Sequence, residues 1–292
     1  MIIETRGLTK VYDGRPALDG VDLAVPRGGV YGLVGPNGSG KTTLLALLAG
    51  LRRPTAGEIR LGTDRSRIAV LPDTPQFEPW LTAREVVDLA RNLTAPDIPA
   101  ARVEEVLAES GLSDAIDRRV GGFSRGMLQR LGLAATVVGD PEVLLLDEPC
   151  SALDPGGRRE VLDLVKRIGS RGTVLFSSHI LSDVQQVSDT VGVLREGRLL
   201  YQGPLEDLLV GSAVPGYVVR VRGDATAVAA RLRREEWVTG VEEQGSDLRV
   251  RVRSLAEAES RLVAALAGAG ARVVSLAPEA PDLEDVFLEL MR

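Results

Sequence analysis

Between an apolar run, Val30 to Val34, and a helix-like run, Thr43 to Leu51, the chain carries Gly35-Pro36-Asn37-Gly38-Ser39-Gly40-Lys41-Thr42-Thr43. Residues 35 to 42 fit G-x-x-x-x-G-K-[ST], a pattern that works only where a buried strand turns into the start of a helix. It therefore predicts a parallel α/β core built around a phosphate-binding loop. Glycines at 35, 38 and 40 let backbone N–H groups wrap a polyphosphate without Cβ obstruction. In such a loop Lys41 reaches the β and γ phosphates of a nucleoside triphosphate such as ATP, and the Thr42 hydroxyl holds Mg2+. The helix dipole contributes about 0.3 to 2 kcal/mol, against roughly 1.5 to 3 kcal/mol for each hydrogen bond to a charged group. Loop geometry and Lys41 dominate binding, and Lys41 is one of only three lysines in the chain, with Lys10 and Lys166.

A second apolar run, Val143 to Leu146, reads as a strand buried on both faces and ends in Asp147-Glu148. Strands ending in acidic pairs are common, so the meaning of this one comes from the phosphate loop upstream. Transfer of a γ-phosphoryl group to water needs positioning and charge stabilisation more than covalent help. Asp147 is placed to support the magnesium ion, and Glu148 to polarise the attacking water.

Phe123-Ser124-Arg125-Gly126-Met127, with Gln129 and Arg130 following, resembles the signature segment of ATP-binding cassette (ABC) ATPases, which other phosphate-loop proteins lack. The resemblance implies a segment that opens a helix and presents its N-terminus to the γ-phosphate held by a second copy of the domain. It implies a head-to-tail homodimer with two ATP molecules between the copies. Other family positions follow on matching residues. Tyr12 stands where the family stacks an aromatic ring on adenine. Asp154, in Ser151-Ala152-Leu153-Asp154, belongs to the loop linking the two nucleotide sites of the dimer. His179, the only histidine, follows the strand-like run Thr173 to Phe176, where it contacts the γ-phosphate and orients Glu148 or water.

Two positions depart from the family's usual pattern. The signature reads Phe-Ser-Arg-Gly-Met where Leu-Ser-Gly-Gly-Gln is usual, although the phosphate-facing Ser124 and Gly126 remain. The family also places a glutamine, which contacts magnesium or water and touches a membrane partner, after a strand corresponding to Ile68 to Leu71. Here Asp73 occupies that region and a glutamine arrives only at Gln76. An ionised Asp73 accepts but cannot donate a hydrogen bond, so either residue is a candidate for the role.

A net charge of −6 offers no broad basic surface, and no nucleic acid is expected as a partner. No apolar stretch approaches the roughly 18 to 20 residues of a membrane span, and no signal-peptide pattern opens the chain. The expectation is a cytoplasmic protein, peripheral on the membrane through a separate permease subunit. The single Cys150, between Pro149 and Ser151, is read as structural.

The 292 residues allow about two domains. Residues 1–210 read as the nucleotide-binding domain, with a helix-rich insert over about 73–139 that bears the signature. Gly211 to Gly216 reads as a linker. Residues 217–292 then follow the order β-α-β-β-α-β, predicting a small ferredoxin-like α+β domain. The tail Leu283 to Leu290 has helical spacing and resembles the ending of exporter ATPases. The combined expectation is the ATP-hydrolysing subunit of an ABC exporter. The alternatives are a soluble ABC ATPase acting in assembly, repair or translation, or a motor restrained by a ligand-sensing C-terminal domain.

Overall fold

The computed structural model describes residues 1–151, 153–212, 216–278 and 283–290. They form two compact units, Met1–Asp207 with the chain end from Phe287, and Leu208–Val286.

The first unit opens with β1 (Ile3–Tyr12) and β2 (Arg15–Val21), antiparallel across a tight turn where Asp13 (φ 47) and Gly14 (φ 77) both adopt the left-handed conformation. That conformation matches the twist of the flanking strands. β3 (Ala24–Val25) pairs with β1, and β4 (Gly29–Val34) leads into α1 (Lys41–Leu48). The helix begins two residues before the expected Thr43, because Gly40 at φ 108 turns the chain straight into it. It stops at Leu48, short of Leu51, because Gly50 takes φ 78, which ends a helix at low steric cost. β5 (Ala56–Leu61) returns to β1, and β6 (Ile68–Leu71) enters a second sheet.

The expected helical insert follows as α2 (Ala83–Thr94), α3 (Ala101–Glu109) and α4 (Arg125–Val137). A capping box starts α2: the Glu85 N–H donates to Thr82 Oγ1 at 3.2 Å and the Thr82 N–H to Glu85 Oε2 at 2.7 Å. β7 (Val143–Leu146), α5 (Pro155–Gly169), β8 (Thr173–Ser178), α6 (Leu181–Val187), β9 (Thr190–Arg195) and β10 (Arg198–Pro204) complete the second sheet. Its order is β10-β9-β4-β8-β7-β6, parallel throughout except for β10. Every residue of β7 and β8 is buried; β7 is apolar throughout, whereas β8 also buries Thr173, Ser177 and Ser178. The core gathers Ile3, Leu18, Leu33, Leu45, Leu145 and Leu175 from both sheets and α1.

α7 (Leu205–Ser212) crosses the division between the units. Gly211 and Ser212 finish this helix and Gly216 starts the next strand, so the expected linker is shorter than its six residues; Ala213, Val214 and Pro215 lie outside the described residues. The second unit comprises β11 (Gly216–Arg222), α8 (Ala225–Leu232), β12 (Val238–Gln244), β13 (Asp247–Val252), α9 (Leu255–Gly268) and β14 (Arg272–Pro278), followed by α10 (Leu283–Leu290). Its antiparallel sheet runs β12-β13-β11-β14, the ferredoxin-like arrangement, over its own core of Val219, Leu232, Trp237, Leu248 and Leu262.

Cys150 is buried, and burial followed by the nearby Asp183 carboxylate pushes its thiol up to about 12. At about pH 8 that leaves on the order of one thiolate in ten thousand, so native Cys150 is expected to resist iodoacetamide and to react on the order of a thousandfold faster in guanidinium. Mass spectrometry of the alkylated chain checks this; equal labelling in both states contradicts it.

Candidate active site

Three adjacent parallel strands place the sequence motifs at one edge. Val34 pairs with Ser178 and Leu146 with Phe176, so the loops after β4, β7 and β8 leave the sheet side by side. Ligands of open α/β sheets bind at such C-terminal strand ends.

The loop after β4 is shaped by its own packing as well as by what it can hold. A Cβ on Gly35 would strike the Leu194 carbonyl, and one on Gly40 would meet the Ala17 carbonyl and the Leu18 side chain. Gly38 faces open space but takes φ 80, a left-handed conformation. Ser39 is buried and its carbonyl accepts from the Gly197 N–H at 2.9 Å, while Pro36, Asn37, Gly38 and Thr42 are exposed and Thr43 half-buried. Lys41 is 6% exposed. Its Nζ donates to the Gly35 carbonyl at 2.7 Å and the Pro36 carbonyl at 3.3 Å, and stands 3.4 Å from Glu148 Oε1.

Glu148 joins two cationic or donor groups. Its Oε2 lies 2.7 Å from His179 Nδ1 and accepts weakly from the His179 N–H at 3.4 Å. A carboxylate only accepts, so Nδ1 is the protonated nitrogen of that contact. Lys41, Glu148 and His179 thus form one chain of polar contacts across the ends of β4, β7 and β8. The Glu148 backbone sits at φ 47, unusual for a residue with a side chain. Asp147 is buried and its Oδ1 accepts from Ser177 Oγ at 2.6 Å.

Ser124 caps α4, its Oγ accepting from the Met127 N–H at 3.2 Å. Ser124, Arg125, Gly126 and Met127 line a concavity of about 570 Å³ that Asp154 also borders. None of its lining residues belongs to the phosphate loop. Asp154 caps α5 through the Gly157 N–H at 3.2 Å; Ala152 lies outside the described residues. Gln129 is set apart from the other signature residues, at 2% exposure inside the helical region. The two candidates after β6 also separate. Asp73 Oδ1 accepts from Ser151 Oγ at 3.0 Å, linking it to the loop that carries Glu148, whereas Gln76 lines an apolar groove of about 390 Å³ with Leu71, Phe77, Gly132 and Thr136. Tyr12 ends β1 with its ring exposed and the Lys10 ammonium 5.0 Å from its centroid.

Sequence reasoning stopped at Ser178-His179 and passed over Ser177, which is fully buried between Asp147 and Glu148. It also passed over Asp183 in the first turn of α6, a buried carboxyl pushed upward by burial and opposed by Arg158, 3.8 Å away. A serine beside a serine and an acid in a helix carry no pattern of their own; only the fold shows what they touch.

Residues 18–151 match the ABC transporter domain family, and residues 212–291 match the C-terminal domain of DrrA1-3-like ATP-binding proteins. The ABC transporter ATP-binding protein YcbN of Bacillus subtilis is 32% identical over 301 residues, covering 99% of this chain and 97% of its own. A daunorubicin resistance ATP-binding protein of Streptomyces coeruleorubidus is 37% identical over 304 residues, covering 99% and 95%. A bacitracin transport ATP-binding protein of Bacillus licheniformis is 38% identical over 218 residues, 71% of each chain. Among solved structures, the ATP-binding subunit of an ABC transporter superposes with a TM-score of 0.66 at 27% identity, over 72% of this chain and 93% of that one. A dimeric ATP-binding cassette bound to ADP and Pi shares the fold, with a TM-score of 0.64 at 24% identity over 70% and 98%. A strand-edge site with these contacts, matched along nearly the whole chain by such relatives, means that the chain belongs to the ATP-binding, ATP-hydrolysing proteins of ABC transporters.

Proposed function

We propose that residues 1–210 are the ATP-hydrolysing motor of an exporter, acting through a separate membrane permease, and that residues 217–292 are an accessory domain. The observation that carries this reading is the Lys41–Glu148–His179 chain at the edge where β4, β7 and β8 end. In this reading the triphosphate of ATP takes over the Lys41 ammonium from the Gly35 and Pro36 carbonyls, and Tyr12 receives the adenine ring. Release of Lys41 leaves Glu148 held by His179, oriented to polarise the attacking water. Ser124, Arg125 and Gly126 of a second copy, at the exposed start of α4, complete the site in a homodimer, and Asp154 links the two sites.

The donor set fits Mg2+. Magnesium is usually bound by one or two protein oxygens together with phosphates and water, and the described residues hold no cluster of three His, Cys, Asp or Glu that would cage a metal alone. Thr42 and Asp147 are the pair that would hold it, with Asp73 or Gln76 in support, and when bound it neutralises charge on the β and γ phosphates.

No helix among the described residues is long and apolar enough to cross a membrane, so the substrate path is assigned to another polypeptide. The helical insert and the segment leading into it expose Trp80, Leu89 and Leu93, and these apolar side chains are assigned to contact with that polypeptide. The relatives named for daunorubicin resistance and bacitracin transport favour export over a soluble assembly or repair role.

Glu148→Gln is expected to retain ATP binding and lose roughly 100- to 10,000-fold in kcat, the range for a missing general base; near-normal steady-state hydrolysis removes Glu148 from this role. Lys41→Ala is expected to weaken ATP binding by calorimetry, and unchanged affinity contradicts the phosphate-loop assignment. Tagged Glu148→Gln protein, recovered from detergent-extracted membranes with ATP, is expected to carry a stoichiometric multi-span membrane protein identifiable by mass spectrometry. Recovery of soluble partners alone transfers the chain to the soluble ATPase class.

A further inference from the structure

We infer that Ser177 is a positioning residue for ATP hydrolysis, holding both acidic residues of the site through one hydroxyl. The inference rests on the ATPase reading above and goes beyond it by adding a residue that no motif contains. Ser177 stands on β8 one step past the last ladder pair, Leu146 with Phe176, and so directly beside Asp147. Its Oγ–H donates to Asp147 Oδ1 at 2.6 Å, and the same oxygen accepts from the Glu148 N–H at 2.9 Å. A hydroxyl has one proton to give and lone pairs to receive with, so both bonds form together. Ser177 is 0% exposed, and water has no access to replace it.

Each bond fixes a different degree of freedom. The bond to Oδ1 sets the rotation of the Asp147 carboxylate, and with it the direction of the second oxygen. The bond from the N–H secures the backbone at the point where Glu148 adopts φ 47. That left-handed conformation is unfavourable for a residue with a Cβ and persists only where its surroundings hold it. It sends the Glu148 side chain to Lys41 and His179. Alanine at 177 would take the Ser177 acceptor from the part-buried Glu148 N–H and free the Asp147 carboxylate to rotate. Ser177→Ala leaves both carboxylates and the Lys41 loop in place and disturbs only their orientation, so the effect falls mainly on turnover.

The test is steady-state Mg-ATP hydrolysis by the full chain as wild type, Glu148→Gln, Ser177→Ala, Ser177→Thr and the Ser177→Ala/Glu148→Gln double variant. Ser177→Ala is expected to lose roughly ten- to hundredfold in kcat, with KM within about threefold. Ser177→Thr, which restores the hydroxyl on a side chain suited to a strand, recovers most of kcat. The double variant is slower than Glu148→Gln alone by less than the fold that Ser177→Ala costs by itself, because part of that cost runs through Glu148 and the remainder through Asp147. Near-wild-type kcat in Ser177→Ala, equal losses in the Ala and Thr variants, or losses that multiply in the double variant each overturn the inference. If Glu148→Gln loses hydrolysis while Ser177→Ala does not, the ATPase reading stands and the Ser177 role falls. If both hydrolyse at wild-type rates, the Glu148 assignment and the Ser177 role fall together while the chain remains an ATPase; absence of hydrolysis by the wild type is what removes the ATPase reading.

Discussion

The parallel register of β4, β8 and β7 is the constraint on which the site depends. The phosphate loop, the acidic pair and His179 lie far apart in sequence, and none of their side chains draws the others together. They meet because three buried strands end level, with Val34 beside Ser178 and Leu146 beside Phe176. A slip of one residue in either pairing would turn every side chain of a strand to the other face of the sheet. The unbroken burial of β7 and β8 therefore serves chemistry as well as stability. It holds Glu148 within 3.4 Å of Lys41 and 2.7 Å of His179 without any loop having to be rigid by itself.

Lys41 also shows how electrostatics and packing divide the work. A nearly buried ammonium needs partners, and here two loop carbonyls and a carboxylate supply them. All three partners lie within 3.4 Å of the ammonium and come from the loop itself and from the end of β7. The glycines are tied to their positions independently of any ligand, since Gly35 and Gly40 are closed off by the carbonyls of Leu194 and Ala17.

Much of this was legible in the sequence, and the reasons are particular. Val143–Leu146 announced itself by having no polar residue, and β7 has those bounds. The alternation from Tyr217 and the helical spacing around Leu262 were enough to order the elements of the second unit, whose strands pair in the ferredoxin-like order. The limits of α1 were not legible, because backbone angles at Gly40 and Gly50 decided them. Gln129 sits in the signature by spacing yet lies buried, since a helix presents only one face to a cleft. Ser177 was invisible because its significance is a neighbour across the sheet, and a linear motif records only neighbours along the chain.

The ferredoxin-like unit has a core of its own, in which Trp237, Leu248 and Leu262 pack together, and among the described residues its four strands pair with one another. Alignment with the bacitracin transport protein covers 71% of the chain, whereas alignment with the daunorubicin resistance protein covers 99%. Shared chemistry therefore does not require a shared full length: one ATP-binding relative is matched along nearly all of this chain and another along less than three quarters of it.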